Sequence, residues 1–230
     1  MSRLGLGAER VDPSSTPVAD EPTDHGAGEV QVLREGARYP LVGADVQLED
    51  GVAWREWTQH PGAVAVVATR PASGTSGDAA DVEVFCVRQY RHPVRATAWE
   101  VPAGLLDQDG EPMVDAAARE LAEEAALVAD TWSVLADYHT TPGGSAEAIR
   151  VFWASDVRDV DSDDFAREGE EAQMTGHWVR LSDLLDAVHA GAVHNPSTVI
   201  GALALDRVLH RGGQVRDADA EFVLGPVHHR

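Results

Sequence analysis

Apolar residues in this chain follow first one period and then another, and the change marks out its elements. Residues 1–28 mix Gly, Pro, Ser, Thr, Asp and Glu with no recurring apolar position, which predicts a disordered tail. Val30-Gln31-Val32-Leu33 and Asp45-Val46-Gln47-Leu48 then alternate, or nearly so, as half-buried strands do. Val52 to Trp57 reads as a third strand. Ala63 to Ala68 is unbroken apolar sequence, the mark of a central strand buried on both faces. Pro71 to Ala80 is a Gly/Ser/Asp connection, and Val82 to Arg88 is the strand after it.

Beyond a loop at Gly104 to Glu111 the period becomes helical. Val114, Ala117, Ala118, Leu121, Ala125 and Val128 share one face of a helix expected from about Pro112 to Leu127. Pro112 suits its first turn. Trp132 to Tyr138 and Ile149 to Ala154 read as strands. Asp156 to Glu171 holds eight acids and two Arg and predicts a long exposed loop. His177 to Val179 is a short strand, and Ser182 opens a helix to about His189. Pro196 to Leu209 is a last helix, with Ile200, Leu203, Ala204 and Val208 on one face. Arg211 to Arg230 shows little pattern. Strands on both sides of one helix, followed by further helices, argue an α+β or α/β sandwich.

Composition narrows the function. The 230 residues carry 39 acids against 18 bases, a formal charge of −21, and every base is Arg. Without Lys there is no P-loop and no Schiff-base amine. Such an acid excess disfavours nucleic acid, whose affinity rests on neutralised phosphates, and an anionic membrane surface. The one cysteine, Cys86, lies in an apolar run and reads as buried and inert. No segment approaches a membrane span and no signal peptide is visible, so the expected location is the cytoplasm.

The 112–127 helix has a second face. Glu120, Glu123 and Glu124 lie three and four residues apart, hence side by side, with Arg119 able to reach Glu123. Crowded carboxylates suit a hard divalent cation. A solvated acidic face is the plainer alternative. The flanking residues decide between them. Gly104, six residues, Glu111, seven residues, then Arg119-Glu120-Leu121-Ala122-Glu123-Glu124-Ala125-Ala126-Leu127 closely resembles the Nudix box. There are two departures: the first gap is six residues rather than five, and the last Gly of the box is Ala126. The longer loop is cheap. Ala126 is expected to need a turn with negative φ. Trp99-Glu100-Val101-Pro102-Ala103-Gly104, the preceding Val87-Arg88-Gln89-Tyr90-Arg91, and Pro142 fifteen residues past Leu127 resemble the ADP-ribose pyrophosphatase branch of the Nudix family.

That resemblance implies a Nudix-type α/β/α sandwich, of α+β class, with a mixed central sheet and an N-terminal strand extension. It divides the chain into the tail (1–28), a strand region suited to exchange across a homodimer (29–58), the Nudix domain (59–210) and a C-terminal extension (211–230). It implies Mg²⁺- or Mn²⁺-dependent hydrolysis of ADP-ribose to AMP and ribose 5-phosphate. Another nucleoside diphosphate derivative as substrate, or a domain that senses ADP-ribose without cleaving it, are the alternatives. Glu120, Glu124 and the Ala103 carbonyl would hold metal, with Glu123 holding metal or orienting the others. Arg119 and Gly104 would be structural. The general base would be Glu171, with Glu170 as the alternate. Arg55 and Arg91 would clamp phosphate, against a plain salt bridge for either. Glu100 and Glu147 would hydrogen-bond the ribose or ligate metal through water, against a structural role for either, and Trp57 would lie near the adenine, with core packing as its rival. None of the ten His residues has metal-ligand spacing, and all are left aside.

Overall fold

The computed structural model describes residues 18–23, 25–73, 80–160 and 174–226. Three antiparallel strands, β1 (Gln31–Arg34), β2 (Leu41–Leu48) and β3 (Gly51–Thr58), form an N-terminal sheet in the order β1-β2-β3. Just before it, Gly28 N–H donates to Asp45 O (2.8 Å) and Gln47 N–H to Gly26 O (3.1 Å), so the chain already pairs with β2 at residues 26–28. The strand periodicity of this region comes from one covered face: Val42 and Ala44 are buried, while Val52 and Trp54 stay exposed.

The main sheet is mixed. Its strands are β4 (Ala63–Pro71), β5 (Val82–Arg91), β6 (Ala96–Glu100), β7 (Ala103–Leu105), β8 (Leu127–His139), β9 (Ala148–Asp159), β10 (Thr175–Arg180) and β11 (Arg216–Asp217). The order is β10-β5-β4-β9-β8-β11, with β6 paired to β5 and β7 to β4. Among the described strands of this sheet, β4 and β9 are the parallel pair, from Ala63 opposite Ile149 to Ala68 opposite Ala154. The apolar run of β4 is unbroken because both of its faces are covered. Ala63, Ala65 and Val67 pack with Leu181, Leu184 and Leu205 of helices α2 (Leu181–His189) and α3 (Pro196–Arg211). Val64, Val66 and Ala68 pack with Ala116, Ala117 and Leu121 of helix α1 (Met113–Ala125). Each fully buried Val here contributes on the order of 1.5–3 kcal/mol relative to exposure. The α/β/α sandwich is therefore as the sequence predicts.

Four expectations need correcting. The helical face of α3 is not Ile200, Leu203, Ala204 and Val208; Leu203 is exposed, and Thr198, Gly201, Ala202 and Leu205 are buried. Small residues win because α3 lies so close to β4 that a Cβ at Gly201 would meet a Val67 methyl at 2.6 Å. On α1 the fully buried positions are Ala116, Ala117, Leu121 and Ala122, a stripe shifted from the expected one, with Val114 and Ala125 packed only partly buried beside it. Asp156 to Asp159 belong to β9 rather than to a loop, held to β8 by Arg158–Asp130 (2.6 Å) and Thr131–Asp156 (2.9 Å). Finally, the segment after α3 is not patternless. β11 pairs with β8, and Asp137 takes Arg150 (2.8 Å) from β9 and Arg216 (2.8 Å) from β11. Burial pushes the Cys86 thiol up to about 12, which keeps it inert. Among the described residues no helix is long and apolar enough to cross a membrane.

Candidate active site

Two elements build the site: β7, at the edge of β4, and the outward face of α1. Antiparallel pairing places Ala103 opposite Ala65 and Gly104 opposite Val64. Leu121 faces inward and anchors α1 on the sheet, so the intervening turns carry Glu120 and Glu124 toward β7. Glu124 Oε2 accepts a hydrogen bond from Ala103 N–H (3.0 Å). The Glu120 carboxylate lies directly over Gly104: a Cβ at that position would collide with its carboxyl carbon, one oxygen and Cγ. Two acids four residues apart thus meet one backbone step, Ala103–Gly104.

Arg119 ties the rest together. It grips Glu111 with Nε and Nη2 (3.1 and 3.2 Å), and its Nη1 donates to Glu120 (2.7 Å) and Glu123 (3.2 Å). The hydrogen bonds it donates to Glu111, then the one to Glu120, hold the guanidinium still more firmly protonated than usual. The expected Arg119–Glu123 contact is present, and Glu111 is a member of the network that sequence spacing did not single out. Its place in the box was the signal.

The helix ends on Ala126, and the expectation for this residue is overturned. Its φ is 54° and ψ 40°, in the left-handed region, and its N–H reaches Ala122 O (3.0 Å). The terminating geometry that glycine normally supplies is kept, at a strain of about 1–2 kcal/mol.

The donor chemistry suits a divalent metal ion. Glu120, Glu123 and Glu124 offer only anionic oxygens, on one helix face, over a backbone step kept clear of any side chain at Gly104. Among the described residues no three acidic, His or Cys side chains converge as a ready-made cage. Two of these carboxylates are drawn to Arg119 and the third to Ala103 N–H.

The remaining candidates fall in different places. Arg91 and Glu100 meet each other, Nε to Oε1 at 2.9 Å and Nη2 to Oε2 at 2.7 Å, across the β5–β6 hairpin. Glu100 is 3% exposed and Arg91 45%, so a buried carboxylate is compensated by an arginine that still faces solvent. Arg55 and Trp57 sit on β3 in the N-terminal sheet. Arg55 is exposed and donates to Trp54 O (3.0 Å); Trp57 is half-buried and donates to Gln59 (2.9 Å). Glu147 stands before β9, where Thr140 donates to it (2.6 Å) and His60 Nε2 lies 3.3 Å from its other oxygen. The loop around it is tied to β3 by Thr58 N–H to Gly144 O (3.0 Å) and Ala146 N–H to Thr58 O (3.1 Å). Glu170 and Glu171 lie outside the described residues. His60 is the buried histidine of the Glu147 cluster; a lone His without ligand spacing gives no signal in a sequence.

Known proteins resemble this chain over most of its length. Residues 59–198 match the NUDIX domain family. The ADP-ribose pyrophosphatase of Mycobacterium tuberculosis is 38% identical over 198 residues, covering 86% of this chain and 90% of that one. The ADP-ribose pyrophosphatase of Bacillus subtilis is 33% identical over 161 residues, covering 67% of this chain and 77% of its own. A crystal structure of an ADP compounds hydrolase superposes with a TM-score of 0.62 at 19% identity, covering 84% of this chain and 98% of that one, a likeness of fold.

Proposed function

The chain belongs to the Nudix family, and we propose that it is the member that hydrolyses the pyrophosphate bond of ADP-ribose, giving AMP and ribose 5-phosphate. The observation that carries this is the meeting of Glu120 and Glu124 on the Ala103–Gly104 step, in a chain 38% identical to an ADP-ribose pyrophosphatase over most of both lengths. A sensing domain would have no need of all three box acids.

Nudix hydrolases in general need a divalent metal ion; here we assign Mg²⁺ or Mn²⁺ to Glu120, Glu124 and the Ala103 carbonyl, with Glu123 beside them. When bound, such an ion screens the pyrophosphate charge and makes the attacking water more acidic. The protein's own groups do the rest. Water attacks one phosphorus, a P–O bond to it forms, and the bridging P–O bond breaks. The second phosphate leaves with the bridging oxygen. The proton lost by water passes to the general base, for which we propose Glu171, with Glu170 as its alternate. Arg119 holds Glu111, Glu120 and Glu123 in register. Gly104 leaves room for Glu120.

Arg91 is exposed enough to meet a phosphate while remaining on Glu100, so Glu100 orients Arg91 rather than meeting substrate alone. Arg55, Trp57 and Glu147 we assign to the substrate's other contacts. Arg55 and Trp57 belong to a sheet whose opposite face leaves Leu41, Val52 and Trp54 exposed, a face suited to a second copy of the chain. The proposed assembly is a homodimer.

The test is release of AMP from ADP-ribose in the presence of Mg²⁺ by the full-length protein. Glu124→Gln should lower kcat by at least about a hundredfold, as removal of a ligand or charge at the reacting centre does. Wild-type protein that binds ADP-ribose with Mg²⁺ and releases no AMP would sink the enzymatic reading.

A further inference from the structure

His60 is 6% exposed and lies between β3 and β4, where the N-terminal sheet joins the main one. Burying a histidine is costly unless its ring nitrogens are used. Both are accounted for. Nδ1 accepts the backbone N–H of Gly62 (3.0 Å), so the proton of the neutral ring sits on Nε2. That nitrogen faces Glu147 Oε1 at 3.3 Å. The Tyr39 ring packs on the imidazole, centroids 4.2 Å apart and planes tilted by 44°, which fixes the ring's direction. Glu147 Oε2 takes the Thr140 hydroxyl (2.6 Å). Each oxygen of the carboxylate is thus addressed by one protein group, and a carboxylate oxygen can accept more than one hydrogen bond. Glu147 itself is about a quarter exposed, so it keeps a side toward solvent.

We infer that His60 is a positioning residue: with Thr140 it holds Glu147 at a fixed angle, leaving the carboxylate to receive the hydroxyls of the substrate's sugar. The inference rests on the assignment of Glu147 as a substrate contact. Hydroxyl groups are donors and a carboxylate is acceptor-only, so a pair of neighbouring sugar hydroxyls is the chemical class that fits. An unheld Glu would have to lose its side-chain freedom on binding, and His60 removes that cost in advance.

The experiment is steady-state kinetics of full-length His60→Phe, His60→Gln, Glu147→Gln and the His60→Phe/Glu147→Gln double variant, with ADP-ribose and Mg²⁺. Thermal melts accompany each. Phe keeps the ring and its packing on Tyr39 but has no N–H; the Gln amide nitrogen reaches roughly where Nε2 stands. Glu147→Gln and His60→Phe should each raise KM about tenfold with kcat within about twofold, the worth of one hydrogen bond to a charged group. His60→Gln should recover most of the KM. The double variant should be no worse than Glu147→Gln alone, because the two residues act through one carboxylate. A Glu147→Gln variant with wild-type KM would overturn the assignment of Glu147. A raised KM in Glu147→Gln with an unchanged KM in a folded His60→Phe, or with effects that multiply in the double variant, would overturn the positioning role alone.

Discussion

Replacing Gly104 by Ala adds one methyl group to the backbone step that Glu120 covers. The backbone itself would accept the change, since Gly104 is not among the glycines with positive φ. The obstacle is the side chain opposite. A Cβ would lie under 3.0 Å from three Glu120 atoms, nearer than real Cβ atoms come, whereas ordinary contact begins at 3.4 Å. The carboxylate must therefore retreat by more than 1 Å, and a misplacement of even about 1 Å at a reacting centre costs roughly a hundredfold in rate, or about 2.7 kcal/mol of barrier. Stability should change far less. Glu120 is on the outward side of α1, and the buried contacts of Leu121 and Ala117 are untouched. The assay is AMP release from ADP-ribose across a Mg²⁺ titration, with a thermal melt as the folding control. The expected result is a kcat lowered about a hundredfold together with weaker Mg²⁺ dependence, at a nearly unchanged Tm. Wild-type turnover by Gly104→Ala at every Mg²⁺ concentration would refute the claim that Glu120 must lie on that step.

Three further outcomes are expected. Ala126→Gly should raise the denaturant midpoint, stabilising by about 1 kcal/mol, because glycine takes φ 54° without strain and gives back part of the gain through its freer unfolded chain. Arg119→Lys should lower kcat by about tenfold or more, since an ammonium cannot keep the two-point grip on Glu111 while reaching Glu120 and Glu123; chemical rescue by added guanidinium would support this. Burial is the first cause holding His60 below its ordinary 6.5, with the Glu147 charge opposing it. The unfolded chain therefore binds this proton more readily, so the contribution of neutral His60 is complete above pH 6.5 and is lost as pH falls below it. Tyr39 stacks on the ring, and Arg38 and Asp107 act on Tyr39 in turn. Urea unfolding at neutral and mildly acidic pH should show that loss in the wild type and a flatter profile in His60→Gln.

What the sequence made legible was whatever depends on local period. β4 showed itself because both its faces are covered, and Glu120, Glu123 and Glu124 because helical spacing alone brings them together. β6 and β7 were hidden. They are short, Pro102 separates them, and each pairs with a strand that local pattern could not name. The parallel pairing of β4 with β9 joins residues 86 positions apart and leaves no local trace. The same holds for the Arg150–Asp137–Arg216 cluster and for His60 with Glu147. The Arg91–Glu100 pair changed the meaning of two candidates at once, which reading them singly could not do.

The two departures from the Nudix box have opposite physical characters. The extra residue between Gly104 and Glu111 is absorbed in a turn: Glu111 N–H donates to Gln108 O (3.2 Å), and Gly110 supplies a φ of 79°. Both ends of the loop stay fixed, by Leu106 N–H on Gly62 O (3.1 Å) and by the two-point Glu111–Arg119 grip. Lengthening a loop with anchored ends costs little, because closure entropy grows only with the logarithm of length. Ala126 is different. Here the geometry of the helix end is kept and the strain is put into one residue, because the start of β8 depends on it. Leu127 begins that strand and is buried in the cluster that holds Val64 and Phe152, and Val160 N–H bonds Ala126 O (3.0 Å). A helix end with negative φ would turn Leu127 out of that core, at a loss of the order of 1.5–3 kcal/mol, more than the strain itself. Ala126 therefore keeps the glycine-like turn, and with it the placement of Glu123 and Glu124 in the turn before.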